Sequence, residues 1–175
     1  VSMGLSMMDK RPRAGIRALL ESSEGAKAPH KKRNVTSTVV GYTLAPKINA
    51  AGRIASAERA VELFLTDSED EAELIASELN ETNKERQNEE NKIMQDAYEK
   101  LAAEHDFEND PVIILDADNW HHGVIGIVSS RITEKYSRPS ILVSFEGNGE
   151  DVPYDEQVGK GSGRSIKGLN LVDAL

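Results

Sequence analysis

Pro111-Val-Ile-Ile-Leu115, a polar turn, then Val124, Ile125, Ile127, Val128 and Ile132 at helical spacing, then Ser140-Ile-Leu-Val-Ser-Phe145 are the stretches that decide the fold. Each outer run is a continuous apolar segment of buried-strand type, and the middle one repeats with the period of a helix face. Strand, helix, strand in this order predicts a parallel pair joined by a right-handed crossover. Past it, Glu146 to Gln157 reads as an exposed loop rich in acids and amides, and Val158 to Ile166 as a glycine-spaced strand. Asn170 to Leu175 looks like a helix cut off after barely a turn, which with Val1 as first residue gives the expectation of an excerpt from a longer protein.

Upstream, Ser68 with Glu71 has the spacing of a capping box, and from there to about His105 there is no Gly or Pro. One long helix is expected. Its ends carry apolar stripes (Leu74, Ile75, Leu79; then Ile93, Met94, Ala97, Tyr98, Leu101). The stretch Asn80 to Asn91 has none, offering instead the pairs Glu81/Lys84, Arg86/Glu90 and Glu89/Lys92. A helix packed at its ends and bare in the middle suits a bridge, and ~38 residues at ~1.5 Å rise would span ~57 Å. A coiled-coil arm would need a heptad seam across the bare stretch, which is missing.

Earlier still, Ile16, Leu19 and Leu20 mark a short amphipathic helix after Pro12, with a basic side toward water or a partner. Ser22 to Asn34 reads as a loop and Val35 to Val40 as a strand. Ser56 is placed to cap a helix whose Ala57, Ala60, Val61 and Phe64 form its packed stripe. The fold class is therefore α/β: a basic amino-terminal part, a long bridging helix, then a small α/β domain whose mixed sheet contains the parallel unit. The boundaries fall at 1–66, 67–106 and 107–175.

The net charge of −9 over 175 residues is unevenly spread. Residues 1–53 hold ten Lys/Arg against three acids, 54–110 five against eighteen, and 111–175 six against nine. A basic first third permits a polyanion partner even in an acidic chain. The absence of Cys excludes disulfides and thiolate metal sites and makes a reducing, cytoplasmic setting the expectation. No apolar run approaches the roughly 20 residues of a membrane span.

Three stretches pair glycine with a phosphate-capable donor. Asn49-Ala50-Ala51-Gly52-Arg53 places small residues and a Gly where a close backbone approach is possible, ending in a planar guanidinium fork suited to a phosphate. Trp120-His121-His122-Gly123 fills the loop at the carboxyl end of the first strand, where a helix amino terminus favours anions. Gly159-Lys160-Gly161-Ser162-Gly163-Arg164-Ser165 alternates glycine with donors along an extended stretch. By themselves these also read as a structural turn, a structural histidine and a flexible glycine loop. Neither a P-loop nor a nucleophile elbow fits. A metal site on Asp116, Asp118, His121 and His122 is set aside, since one hairpin would supply every ligand and adjacent histidines usually point apart.

Taken together, Ala45-Pro46-Lys47-Ile48-Asn49-Ala50-Ala51-Gly52-Arg53, Trp120-His121-His122-Gly123-Val124-Ile125-Gly126-Ile127-Val128-Ser129-Ser130-Arg131 and Gly161-Ser162-Gly163-Arg164-Ser165 resemble, in order and spacing, the RecJ family of the DHH phosphoesterase superfamily. Arg11-Pro12-Arg13-Ala14-Gly15-Ile16-Arg17-Ala18-Leu19-Leu20 resembles the segment after that family's catalytic core. The resemblance implies a carboxy-terminal fragment that lacks the catalytic DHH core: residues 1–66 the remnant of the DHH domain, 67–106 the connecting helix, 107–175 the substrate-binding domain. It implies 5′-to-3′ hydrolysis of single-stranded DNA in repair and recombination, with two Mn or Mg ions whose ligands lie outside this chain, and an inactive fragment. Carried over by position, Arg53, Ser162 and Arg164 hold the 5′ phosphate with Gly163 and Ser165 beside them, and Asn49 and His121 line the cleft. Lys160 joins them on charge and spacing. Repair helicases or single-strand-binding proteins are the expected partners of the intact protein. The rivals are a hydrolase of cyclic dinucleotides or short oligonucleotides within the same superfamily, and a non-catalytic single-strand-binding module. Only eight aromatic side chains are available to the latter for base stacking.

Overall fold

The computed structural model describes residues 1–22, 34–145 and 156–174. Most of the two loops expected at Ser22 to Asn34 and Glu146 to Gln157 lies outside the described residues. The chain forms two compact units, Val1–Arg86 and Gln87–Leu175.

The first unit is helical. α1 (Ser2–Lys10) and α2 (Ala14–Glu21) are followed by α3 (Ser37–Val39), a π-helical segment (Val40–Leu44), α4 (Ala45–Ile54) and α5 (Glu58–Leu65). The expected amphipathic helix is α2, which buries Ala18 and Leu19. Its basic side is not left open: Arg13 pairs with Asp67 at 3.4 Å and Arg17 with Glu69 at 2.5 Å. The folded unit thus sets part of the basic third against the acidic segment, in exposed pairs worth up to about 1 kcal/mol each. Gly15 is required where α2 crosses α5, since a Cβ there would overlap the Leu63 backbone carbonyl.

The strand expected at Val35 to Val40 is helical instead. Thr36 caps α3 by accepting from the Val39 N–H at 3.3 Å, and the helical path runs on through α4. The β-branched valines favour a strand only where a pleated neighbour exists to pack on. Here Val35 is buried and its N–H donates to the Asp9 carboxylate of α1 at 3.0 Å, while Leu44 fills the helical core. In α5 the buried stripe is Ala60 and Leu63 rather than Val61, which is 55% exposed. Ser56 accepts from the Glu58 N–H at 3.2 Å, satisfying one donor of the first turn.

α6 (Glu69–Glu104) runs without interruption from the first unit into the second. Half of the expected capping box forms: Ser68 Oγ accepts from the Glu71 N–H at 3.4 Å, but the Glu71 carboxylate takes the Thr66 hydroxyl. Thr66 Oγ1 in turn accepts from the Ser68 N–H at 3.1 Å. Ala72, Ile75 and Leu79 join the core of the first unit, and Ile93, Ala97 and Leu101 are buried in the second half of the helix. The central stretch is not bare. Asn83 is buried in the first unit and Glu90 in the second, where its carboxylate meets Arg131 at 2.6 Å. Glu81 to Lys84 at 2.7 Å and Glu89 to Lys92 at 3.6 Å form as expected.

In the second unit β1 (Ile113–Ala117), α7 (His122–Tyr136), β2 (Ser140–Ser144) and β3 (Lys160–Arg164) make a three-stranded sheet in the order β1-β2-β3, followed by α8 (Leu171–Ala174). β1 and β2 are parallel and β3 is antiparallel to β2, so the sheet is mixed, as the sequence pattern predicts. β1 is an edge strand and is buried on one face only: Ile113 and Leu115 are covered, while Ile114 is 63% exposed. α7 buries Val124, Val128 and Ile132 together with Ser129 and Thr133. Those two hydroxyls each lie 2.8 Å from Ser140 Oγ, which satisfies three polar groups inside an apolar layer. Among the described residues no helix is long and apolar enough to cross a membrane.

Candidate phosphate-binding surfaces

In the first unit Asn49, Gly52 and Arg53 lie in α4 and not in a turn. Pro46 stands in the first turn of α4, directly after the π-helical segment, where the hydrogen-bonding register changes. The small residues of the motif face two ways. Ala50 and Ala51 are buried, Ala51 within the core cluster, while Asn49, Gly52 and Arg53, at i, i+3 and i+4, share an outer face. That face borders a groove of about 550 Å3 whose other wall is Ala57, Ala60, Val61 and Phe64. A basic head beside an amide, over an apolar floor, suits a phosphate flanked by a sugar or base.

Sequence reasoning gives Lys47 no role of its own. It is only 5% exposed, and its ammonium donates to Ser22 Oγ at 3.0 Å and the Leu19 carbonyl at 3.4 Å. Burial, and then the positive charge of Lys84, lower its pKa from the ordinary lysine value of 10.5. Between that lowered pKa and 10.5 the unfolded chain holds this proton and the folded chain does not, so Lys47 makes stability rise with pH in that window. Lys47→Met is expected to flatten that rise in denaturant titrations taken from about pH 7 up to the ordinary lysine pKa. A variant with the wild-type slope would sink the assignment.

In the second unit the glycine-spaced stretch is β3. Ser162 and Arg164 sit one strand repeat apart and face α7. A Cβ on Gly126 would lie 2.9 Å from Ser162 Oγ and 3.2 Å from Arg164 Nη2, so the glycine of α7 is what allows this approach. The guanidinium is held on two sides. Nε donates to Ser130 Oγ at 2.8 Å, and Nη1 to the Gly163 carbonyl at 2.7 Å and Ser162 Oγ at 3.2 Å. Ser130 Oγ itself donates to the Gly126 carbonyl at 2.9 Å. The Arg164 Nη2 protons have no hydrogen-bond acceptor among the described residues, and the Ser162 hydroxyl, already an acceptor, has its proton to give. Lys160 is exposed on the same strand face at the register of Ser144.

The remaining residues of the stretch do other things. Gly163 faces the opposite side, where a Cβ would overlap Leu171 of α8. Ser165 Oγ donates to the Leu169 carbonyl at 2.7 Å and braces the turn before α8. Both serve packing in this fold.

His121 is the N-cap of α7, its Nδ1 accepting from the Gly123 N–H at 3.1 Å. In neutral His121 the ring proton is therefore on Nε2, which leaves a donor directed away from the helix. The rings of His121 and His122 stack at 5.1 Å and 15°, and do not diverge as adjacent histidines usually do. The loop is fixed by Trp120: its Nε1 donates to Asp96 of α6 at 2.7 Å, and its carbonyl accepts from Ser144 of β2. Among the described residues no group of three or more His, Asp or Glu is arranged to hold a metal ion.

Both surfaces thus present donors of the kind that bind phosphate, those around Arg164 already held in place. No protein-family model matches the chain. Along nearly its whole length, however, it aligns with single-stranded-DNA-specific exonucleases called RecJ. It is 32% identical over 174 residues to that of Bacillus subtilis (strain 168), covering 99% of this chain and 20% of the relative. It is 38% identical over 167 residues to that of Salmonella typhimurium, covering 93% and 26%. Among solved structures, RecJ of Thermus thermophilus in complex with Mg2+ matches with a TM-score of 0.75 at 34% identity, covering 98% of this chain and 24% of that one. An exonuclease RecJ bound to manganese matches at 0.74, with 34% identity, covering 98% of this chain and 38% of that one. The chain belongs to the RecJ family. It spans about a fifth to a quarter of the length of the relatives first aligned with it.

Proposed function

We propose that this chain is the substrate-positioning portion of a single-stranded-DNA-specific 5′-to-3′ exonuclease acting in DNA repair and recombination. Residues 1–66 are then the end of the catalytic domain, 67–106 the connecting helix and 107–175 the substrate-binding domain. The observation that carries this reading is the Arg164 guanidinium, held by Ser130, Ser162 and Gly163 with the Nη2 protons left without an acceptor among the described residues. A fork already held in one rotamer loses little further entropy on binding and suits the terminal phosphate of a strand. Ser162 supplies a hydroxyl donor beside it, Lys160 a mobile cation, and His121 an Nε2 proton for an oxygen near the scissile group. In the first unit Arg53 is a further donor to a 5′ phosphate, and Asn49 lines the cleft beside it. Phosphodiester hydrolysis with divalent Mn or Mg falls to side chains other than those described here. Single-stranded DNA is the partner, with repair helicases or single-strand-binding proteins as further ones.

The test is the affinity of the full-length protein for a short single strand with and without a 5′ phosphate, measured in chelator at two salt concentrations. A phosphate-dependent gain that Arg53→Ala reduces about tenfold, the scale of one charged hydrogen bond, is expected. Equal affinity for both strands in wild type and variant would refute the reading and favour a generic single-strand-binding module.

A further inference from the structure

Gly52 stands in the last turns of α4, where glycine costs about 1 kcal/mol relative to alanine. Among the described residues none of the usual structural reasons accounts for it. Its φ is not positive: among the described residues the only glycine in that region is Gly168. It does not end the helix, because the C-cap is Ala55 in an extended conformation, three residues on. It does not admit a neighbouring element either, for a Cβ at Gly52 meets no described atom within 4 Å. Contrast Gly15, Gly126 and Gly163, where a Cβ would collide with Leu63, Ser162 and Leu171 respectively.

What Gly52 does border is the groove, with Asn49 and Arg53 on the same helix face. We infer that Gly52 is a clearance residue for ligand: the sugar-phosphate backbone of a single strand passes over α4 at this point, close enough that a side chain would stand in its way. Arg53 then meets a phosphate oxygen on one side of the crossing and Asn49 a polar edge on the other. This deepens the proposed function and rests on it. The glycine gives up helix stability so that the strand can lie against the main chain.

Gly52→Ala and Gly52→Leu in the full-length protein test this, since both replacements are good helix formers of increasing size. Gly41→Leu is the control, because Gly41 is exposed in the π-helical segment, a Cβ there also meets nothing, and it does not border the groove. Affinity for a 5′-phosphorylated single strand in chelator is expected to fall about tenfold for Ala, the usual scale of overpacking by one methyl, and further for Leu. Thermal stability should stay at or above that of the wild type, and the control should bind normally. Wild-type affinity in Gly52→Leu while Arg53→Ala still loses phosphate-dependent binding would overturn the inference and leave the proposed function standing. Loss of stability in Gly52→Ala, or equal weakening by Gly41→Leu, would also overturn it, since the glycine would then serve the helix. If no variant, Arg53→Ala included, alters phosphate-dependent binding, both readings fall together.

Discussion

Trp120→Ala is expected to destabilise the second unit by about 3–5 kcal/mol, the range for deleting a large buried aromatic. The indole is 2% exposed and is the largest fully buried side chain. Its loss opens a cavity and removes the donor from Asp96, whose carboxylate receives Nε1–H at 2.7 Å. Trp120→Phe separates the two effects. It keeps much of the apolar contact and leaves Asp96 without its donor, which should cost about 1–3 kcal/mol. Denaturant unfolding of both variants measures the difference. Because Trp120 directly precedes the cap of α7, amide exchange of Gly123 and Val124 should quicken in Trp120→Ala before the sheet itself opens. A cost below about 1 kcal/mol for Trp120→Ala would mean that the loop is not held through this side chain.

Arg164→Ala carries the second large effect, on binding. Charged hydrogen bonds contribute about 1.5–3 kcal/mol each, so affinity for a 5′-phosphorylated single strand should fall about ten- to a hundredfold while the 5′-hydroxyl strand is barely affected. Arg164→Lys should not restore it. A lysine has no planar fork, and it cannot reach Ser130, Ser162 and the Gly163 carbonyl and still keep a donor to spare. The salt dependence of binding should drop by about one phosphate contact. Rescue by lysine would show that only charge matters at this position, and an alanine variant with full phosphate preference would remove Arg164 from the site.

How much of this is legible in the sequence depends on which physical signal each segment carries. The parallel unit is legible because Ile113 and Leu115, Val124 to Ile132, and Ile141 to Val143 carry their periodicity in hydrophobicity itself. α6 is legible from its strong helix formers and the absence of breakers. Val35 to Val40 misleads because its valines report a preference for pleated surroundings that the fold does not supply, whereas the cap at Thr36 and the packing of Leu44 decide in favour of a helix. Asn49 to Arg53 reads as a turn on the strength of one glycine, although the alanines beside it are a buried helix face. Within the candidate site, Ser162 and Arg164 are recognisable as neighbours on one strand. Their supports, Ser130 and Gly126, lie over thirty positions earlier in the sequence, so no local pattern pairs them. Arg13 and Arg17 look like free basic charge until the fold sets them beside Asp67 and Glu69.

The uninterrupted course of α6 has a consequence for the order in which the polypeptide is made. Leu79 is the last of its residues in the first hydrophobic cluster, so that cluster has all its members once residue 79 has left the ribosome. Ile93, Ala97 and Leu101 emerge next, but the other buried residues of their unit, Ile113, Val128 and Leu142 among them, are not yet synthesised. For that interval a nascent helix displays an apolar stripe with nothing to pack on. This is the window in which a chaperone, or a second nascent chain, would meet it.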